Sequence, residues 1–544
     1  FTETEFKTNN VHRTEHHSIY LFQKHKSRSR SQSLVSANME EVGNGLPDEP
    51  KFDVKVSKIM GRYMVSTKEI APGEKILSEE PIVVGPCTGC KVQCLGCYKP
   101  LETETYIAQC VRCGWPLCSQ TCPGLGKSHG HTIEECMLLQ KCKSSSLLDY
   151  NNLESVRLHL QTIVPLRCLI LKRTDPSTFN IIWDMESHND IRRNIPDVWN
   201  GNQVNVVNRI TKDWGLTEFS EHEIHTICGI LEVNCFEIGQ GINIRGLYPT
   251  AFLMSHDCVP NTNHTDEEDN YKLTVRASLK IPEGHPITLS YAYTLQNTLK
   301  RREHLLENKF FECRCRRCSD PTELGTYAGA LICPKCHTGL VLCNNPLDAD
   351  SSWSCNNNQA GCPGYTIPAR SMKLLLQRIS QEVEQIDLND VEGMEAFLNK
   401  YRNVLHPTHY LCLGVKVSLS QVYGKISGYL IYELSNKLLE RKQDLCMEIL
   451  KVLNVIEPGY TRIRGVTLYE IHAPLMILLT RDMEEQPPAK SELRTRLKEV
   501  LQYLTEASVI LSYEPETSAE GIMGRAAQEA LVQIRDWENI VGKL

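Results

Sequence analysis

From about residue 370 onward the apolar residues of this chain recur at helical spacing. In SELRTRLKEVLQYLTEASVIL, Leu493, Leu497, Val500, Leu501, Leu504 and Leu511 share one face. The pair Pro487-Pro488 stops any preceding helix, and Ser491 is the expected N-cap. KLLERKQDLCMEILKVL, residues 437–453, carries the same spacing and runs out at Glu457-Pro458-Gly459. The pattern predicts several antiparallel helix pairs whose apolar stripes are core, since amphipathic helices bury that face. Upstream, the turn-rich tract NNPLDADSS between VLC and WSC predicts a hairpin. No apolar run reaches the ~20 residues that span a bilayer, and no signal peptide is visible.

A chain of 544 residues is long enough for several cores, so three or four domains are expected. Its 41% hydrophobic and 23% charged residues are ordinary for a soluble globular protein. A net charge of −7 favours basic partners mildly and gives no steering toward nucleic acid. Residues 1–50 are polar, begin with Phe, have their first methionine at Met39 and contain KSRSRSQS. This stretch reads as a disordered leader or untranslated in-frame sequence, with a basic nuclear-targeting tail as the alternative.

The 24 cysteines change the picture. Most fall in C-x2-C or C-x-C spacing between Cys87 and Cys362. Without an export signal a disulfide scaffold is not expected, and zinc in a reducing cytosol or nucleus is. Eight donors, Cys94, Cys97, Cys110, Cys113, Cys118, Cys122, His131 and Cys136, suffice for two ions. A C-x2-C pair sets two thiolates on one turn, ~2.3 Å from a shared metal. The module spans under fifty residues with little apolar content, so each ion supplies about 10 kcal/mol of its folding. Cys87 and Cys90 form a further pair that nothing completes.

In CRCRRC, Cys313, Cys315 and Cys318 are one donor short of a tetrahedron, and Cys258 of SHDCVPN is the natural fourth. Such a site would pin more than fifty residues of chain back onto SHDCVPN, beside FFEC and ITLSY. Cys333, Cys336, Cys355 and Cys362 are expected to form a zinc ribbon, with six residues inside its second knuckle and Cys343 as a spare.

The order C-x2-C, C-x2-C, C-x3-C, H-x4-C resembles the MYND zinc finger. That likeness implies interleaved pairs: Cys94, Cys97, Cys118 and Cys122 on one ion, Cys110, Cys113, His131 and Cys136 on the other. The family spacing H-x3-C makes His129 a rival to His131. SHDCVPN, ITLSY and FFECRCRRC are similar to the NHSCxPN motif, the catalytic-tyrosine strand and the post-SET loop of SET-domain lysine methyltransferases. GRYMVSTKEIAPGEKILSEEPIVVGP, residues 61–86, resembles the N-terminal SET segment. VPLRCLILKR and GILEVNCFEI look like the inserted SET region and the strand beyond it. A SET domain split by a MYND finger resembles the SMYD family, and its arthropod SmydA branch most.

The resemblance implies an α+β multidomain fold: a β-rich SET fold split by a MYND finger, a zinc-binding post-SET loop and ribbon, and an all-helical C-terminal domain. The expected boundaries are 51–90 for the N-terminal SET segment, 91–142 for the finger and 143–228 for the helical insertion. Core SET follows at 229–295, the post-SET loop at 296–322, the ribbon at 323–366 and the helical domain at 367–544. About three structural zinc ions are expected, the ribbon adding a fourth.

The implied activity is protein-lysine N-methylation from S-adenosylmethionine, on histone or non-histone proteins. Tyr291 would be catalytic. Gly61, Arg62 and Tyr63 would face the methionine moiety, Asn234, Ser255 and His256 would contact the cofactor, and Phe311 would stack on adenine. Family likeness also implies a finger groove for proline-containing peptides, a monomer, and a cytoplasmic or nuclear location. The alternative is a scaffold with little or no turnover that recruits such partners, as in transcriptional repression. A sequence-specific DNA-binding protein is not expected, because the chain is acidic and lacks C-x2-C…H-x3-H fingers. Four positions depart from the pattern: Ser255 for asparagine, Tyr63 for the second glycine of GRG, His285-Pro286 for GEE, and Lys309 for a channel tyrosine. A cation facing the channel at 309 would oppose a neutral substrate lysine.

Overall fold

In the computed structural model, which describes residues 50–543 apart from 59, 103–106, 240, 358–361 and 363, strands distant in sequence pair into small sheets. The expected leader lies outside the described residues but for Pro50. Phe52–Ser57 pairs antiparallel with Gly61–Ser66. Leu273–Ala277 is the central strand between Thr262–Asp266 and Lys75–Glu79. Its residues Leu273, Val275 and Ala277 are buried while Thr274 and Arg276 are half-exposed, the period of two expected of a strand with one covered face. Ile244–Leu247 lies between Val83–Pro86 and Phe236–Ile238. Met64, Ile70, Val84, Ile238, Ile244 and Met254 join these strands in one core.

The first cysteine module and the helical insertion share a second core. Leu95, Leu101, Trp115 and Leu117 of the module pack with Leu166 and Leu169 of the helix Ile163–Thr174 and with Ile227 and Leu231 of the helix Glu221–Asn234. Trp115 is fully buried, donates its indole N–H to Ser144 Oγ at 2.7 Å, and meets Trp214 edge-on at 5.9 Å. The helix Glu221–Asn234 starts at a capping box between Ser220 and Glu223. Buried Arg167 ties the layers together: it pairs with Glu135 and donates to Tyr98 OH and Val84 O, both at 2.6 Å.

Leu331–Ile332, Leu340–Cys343, Trp353–Cys355 and Thr366–Ile367 form a four-stranded antiparallel sheet, with the expected hairpin at 344–352. Helices then follow in series: Ala369–Glu384, Val391–Tyr401, Tyr410–Val422, Asn436–Ile456, Arg462–Glu485, Lys490–Leu511 and Ala519–Lys543. Leu493, Leu497, Val500, Leu504 and Leu511 are buried as the spacing predicts, and Leu501 is half-buried. Ser491 is not the cap. The helix begins one residue earlier, directly after the extended Ala489 that follows Pro488, and no side chain caps it. The C-terminal helices dock beside the strand Leu273–Ala277 through Gly459, whose φ is +80°. A Cβ at this position would stand 2.0 Å from Ser278 O, so only glycine fits. No helix among the described residues is long and apolar enough to cross a membrane.

Candidate active site and metal centres

Four sets of side chains each bring four ligand atoms within 4.8 Å of one another. They are Cys94/Cys97/Cys118/Cys122, Cys110/Cys113/His131/Cys136, Cys258/Cys313/Cys315/Cys318 and Cys333/Cys336/Cys355/Cys362. Sulfur–sulfur separations are 3.5 Å for Cys94–Cys122, 3.6 Å for Cys97–Cys118 and 3.7 Å for Cys110–Cys136. Bonds of ~2.3 Å to a tetrahedral ion require an edge of about 3.8 Å, so all four sets fit zinc. In the first module the sets interleave, so two bound ions would lock its halves together. Cys87, Cys90 and Cys343 belong to none of the four sets.

The choice between the two histidines follows from their surroundings. His131 Nε2 lies 3.3 Å from Cys113 Sγ, and Nδ1 meets Glu135 Oε1 at 2.6 Å. Glu135 is fully buried and is itself held by Arg167, so the ring is oriented from behind as metal-bound imidazoles usually are. The His129 ring instead stands 3.9 Å from Glu80, outside the set. His131→Ala is therefore expected to lower the zinc stoichiometry by one ion and His129→Ala to leave it unchanged, as native mass spectrometry can read.

At the third set, Cys258 Sγ lies 3.9 Å from Cys313 Sγ and 3.5 Å from Cys318 Sγ. Arg301 donates Nε to Cys258 Sγ at 3.2 Å and Nη2 to Cys318 Sγ at 3.5 Å, offsetting the excess negative charge of a four-thiolate site. Arg301 and Arg317 are both fully buried and share Glu323, at 2.8 and 3.1 Å. The two guanidiniums hold the Glu323 carboxyl below its ordinary range against the opposing effect of burial. Glu323→Ala would remove the one carboxylate that the two buried cations share. The expected loss is about 3–5 kcal/mol, read from the midpoint of denaturant unfolding.

This pinning assembles the constellation around Tyr291. Ser255–His256 pairs in parallel with Thr288–Leu289. Asn261 latches the two segments, donating to Pro286 O and accepting from Thr288 N, both at 2.8 Å. Tyr291 donates its backbone N–H to His256 Nδ1 at 2.9 Å and its hydroxyl to Met254 O. Because Nδ1 accepts, the neutral ring carries its proton on Nε2, 3.2 Å from Cys258 Sγ. Phe310 closes the helix Thr298–Lys309 with φ +60°, turning the chain. Beyond that turn, Phe311 lies 5.8 Å from the His256 ring and perpendicular to Tyr291 at 6.3 Å. Burial raises the Tyr291 hydroxyl well above its ordinary pKa, so it is a neutral hydrogen-bond donor.

The other expected cofactor contacts lie around this cluster. Ser255 Oγ is buried with no hydrogen-bond partner. Gly61 has φ +65°, and the space a Cβ would occupy there is open. Arg62 is engaged by the carboxylate and carbonyl of Asp184, with its guanidinium 5.6 Å above the Phe252 ring. Tyr63 is half-buried in the strand Gly61–Ser66, opposite Lys55. Asn234 donates to Glu186 O at 2.9 Å and Ile230 O at 2.8 Å. Lys309 donates to Glu232 O at 2.8 Å and Val233 O at 3.1 Å, where a cation suits the carboxyl end of a helix. Asp184, Glu186, Phe252, Met254 and His304, which donates to Tyr291 O at 3.2 Å, carried no signal in the sequence.

A family model of the SET domain matches residues 61–292. SET domain-containing protein SmydA-8, isoform B, of Drosophila melanogaster is 30% identical over 413 residues, covering 72% of this chain and 86% of that protein. Histone-lysine N-methyltransferase ASHR1 of Arabidopsis thaliana is 28% identical over 267 residues, 48% of this chain and 53% of its own. Histone-lysine N-methyltransferase SMYD3 of Mus musculus is 25% identical over 272 residues, 47% of this chain and 59% of its own. With the split SET fold, four zinc-compatible sets and a helical C-terminal region, this chain belongs to the SMYD family of SET- and MYND-containing proteins, in its SmydA branch.

Proposed function

We propose that this protein is a protein-lysine N-methyltransferase that uses S-adenosylmethionine and keeps its zinc ions for structure. The observation that carries the reading is the seam from Cys258 to Cys313 and Cys318, which sets Tyr291 and Phe311 against one histidine. Two features fit the cofactor: the partnerless buried hydroxyl of Ser255 and the open backbone face at Gly61. Gly61, Arg62, Tyr63, Asn234, Ser255, His256 and Phe311 would hold it. S-adenosylmethionine, when bound, supplies an electrophilic methyl group on a sulfonium.

The rest of the chemistry falls to this chain. A lysine of pKa ~10.4 needs about 4–5 kcal/mol to present a free lone pair at neutral pH. Apolar neighbours of Tyr291, among them Met254, Ala292 and Phe311, favour the neutral amine by desolvation. The Tyr291 hydroxyl, kept protonated, orients polar groups in the transition state and needs no base role. Fixing the ring between His256 and Phe311 serves near-attack geometry. Histone or non-histone acceptors, proline-bearing partners at the finger, a monomeric state and a cytoplasmic or nuclear location belong to the same proposal.

A second reading, a scaffold with little turnover, draws support from one contact: Arg62 is already committed to Asp184. Calorimetry on the full-length zinc-loaded protein separates the two. The enzyme reading expects saturable binding of S-adenosylmethionine, weakened about tenfold or more by Arg62→Ala. Absence of heat at millimolar cofactor in both the wild type and Asp184→Ala would leave the scaffold.

A further inference from the structure

A cleft open at its mouth lies between the helix Thr298–Lys309, the segment after CRCRRC and the 344–352 hairpin loop of the ribbon. It is separate from the Tyr291 cluster, sharing no residue with it. Leu299, Leu306 and Trp353 supply an apolar wall, and Leu306 is 49% exposed. Glu303, Glu312, Asp320 and Asp348 line the same space, against Arg302 as its one lining cation. Arg302 is turned to structural use, donating to Cys313 O at 3.1 Å and Pro346 O at 3.0 Å. Arg302 and Arg314 stand 3.4 and 3.5 Å from Glu312, Lys373 stands 3.7 Å from Glu303, and the Asp320 carboxylate accepts from Thr322 and Leu324 of its own turn, which leaves Glu303 and Asp348 as the less compensated carboxylates of the rim. Glu323 also borders the cleft but is neutralised from beneath by Arg301 and Arg317.

One further group is unexplained by the fold. Asn297 lines the cleft, is 1% exposed, and uses Oδ1 to cap the helix by accepting from Lys300 N at 3.0 Å. Its Nδ2 is buried with no hydrogen-bond partner. A buried amide N–H left unpaired costs about 1–3 kcal/mol, which an acceptor delivered by a ligand would recover. A peptide carbonyl is such an acceptor.

We propose that this cleft is a docking site for a protein segment that carries a lysine or arginine next to a bulky apolar side chain. The apolar side chain packs on Trp353 and Leu306, the cation faces Glu303 and Asp348, and a main-chain carbonyl accepts from Asn297 Nδ2. Charge complementarity selects basic over acidic segments and raises the association rate. The site does not depend on methyl transfer, so it stands or falls separately from the activity proposed above.

The test uses full-length zinc-loaded protein and a fluorescein-labelled peptide of alternating lysine and leucine, read by anisotropy. Two further probes replace lysine by glutamate or leucine by serine. The lysine–leucine peptide is expected to bind saturably and both counterparts at least about tenfold more weakly. The double variant Glu303→Lys, Asp348→Lys should lose about tenfold or more, and Leu306→Ser a similar factor, with zinc content and circular dichroism unchanged. Glu392→Lys, an exposed charge on the helix Val391–Tyr401, should bind as wild type does. Equal affinity in the double variant and wild type, equal loss in Glu392→Lys, or no saturation by the lysine–leucine peptide at about 1 mM would each overturn the site.

Discussion

Cys258→Ser is expected to remove one zinc ion per chain and to loosen the segment from Phe310 to Ser319. The sulfur sits at 0% exposure, 3.5 Å from Cys318 Sγ, and receives the Arg301 Nε donor at 3.2 Å. A serine oxygen is a poor zinc ligand, and its shorter bond cannot reach the same point between three thiols. The apparent free energy of a structural zinc site is about 10 kcal/mol or more, so losing one is the largest single perturbation available here. The buried Arg301 would also lose its thiolate partner, which adds a desolvation penalty. Native mass spectrometry should give one ion fewer than wild type, and hydrogen exchange over 310–319 should accelerate. Cys343→Ser is the control, since Cys343 lies outside every set and should keep all the metal. Metal content equal to wild type in Cys258→Ser would mean that the three thiols of CRCRRC hold an ion without it.

Tyr291→Phe is expected to slow methyl transfer about 10²-fold or more while leaving zinc stoichiometry and fold intact. The ring stays, keeping its contacts with His256 at 5.3 Å and Phe311 at 6.3 Å, and its backbone N–H still donates to His256. Only the hydroxyl goes, with its bond to Met254 O. Removing one neutral hydrogen bond costs about 1 kcal/mol of stability, so a much larger fall in rate separates catalysis from folding. The assay follows conversion of S-adenosylmethionine with core histones as probe acceptor, alongside the unfolding midpoint. A rate unchanged within twofold would remove Tyr291 from the chemistry. The Lys309 ammonium, bound to the carbonyls of Glu232 and Val233, is not expected to oppose the reaction.

How far the sequence could be read depended on how local each interaction is. Spacing and valence marked the sixteen donors and the sets at Cys258 and Cys333, while the interleaving of the first eight came from the resemblance to the MYND finger. C-x2-C pairs are two thiols on one turn, and three thiols in CRCRRC leave one coordination position for a distant sulfur. Helices and the 344–352 hairpin were equally legible, because apolar period and turn residues act over a few positions. The cap at Ser491 was misread, since a proline pair can start a helix without any side chain to cap it. The spacing H-x4-C favoured His131 but left His129 as a rival. Burial of Glu135 beneath Arg167, contributed by another helix, distinguishes them.

Charged side chains were the least legible part. Nothing near Arg62 in the sequence points to Asp184, and nothing near Lys309 points to the end of the helix Glu221–Asn234. A long flexible side chain is free to satisfy its charge wherever the fold delivers an acceptor, and these acceptors arrive from segments more than seventy residues away. The same holds for the shared core of the first metal module and the insertion, where Trp115 finds Trp214 only once both segments are folded. Residue order alone thus decides which thiols stand as pairs on one turn and which stretches coil, since both follow from short-range geometry and ligand number. Where each charged head comes to rest, and whether Arg62 is free to meet a ligand, is settled by the packing of distant segments, because only there do burial and partner coincide.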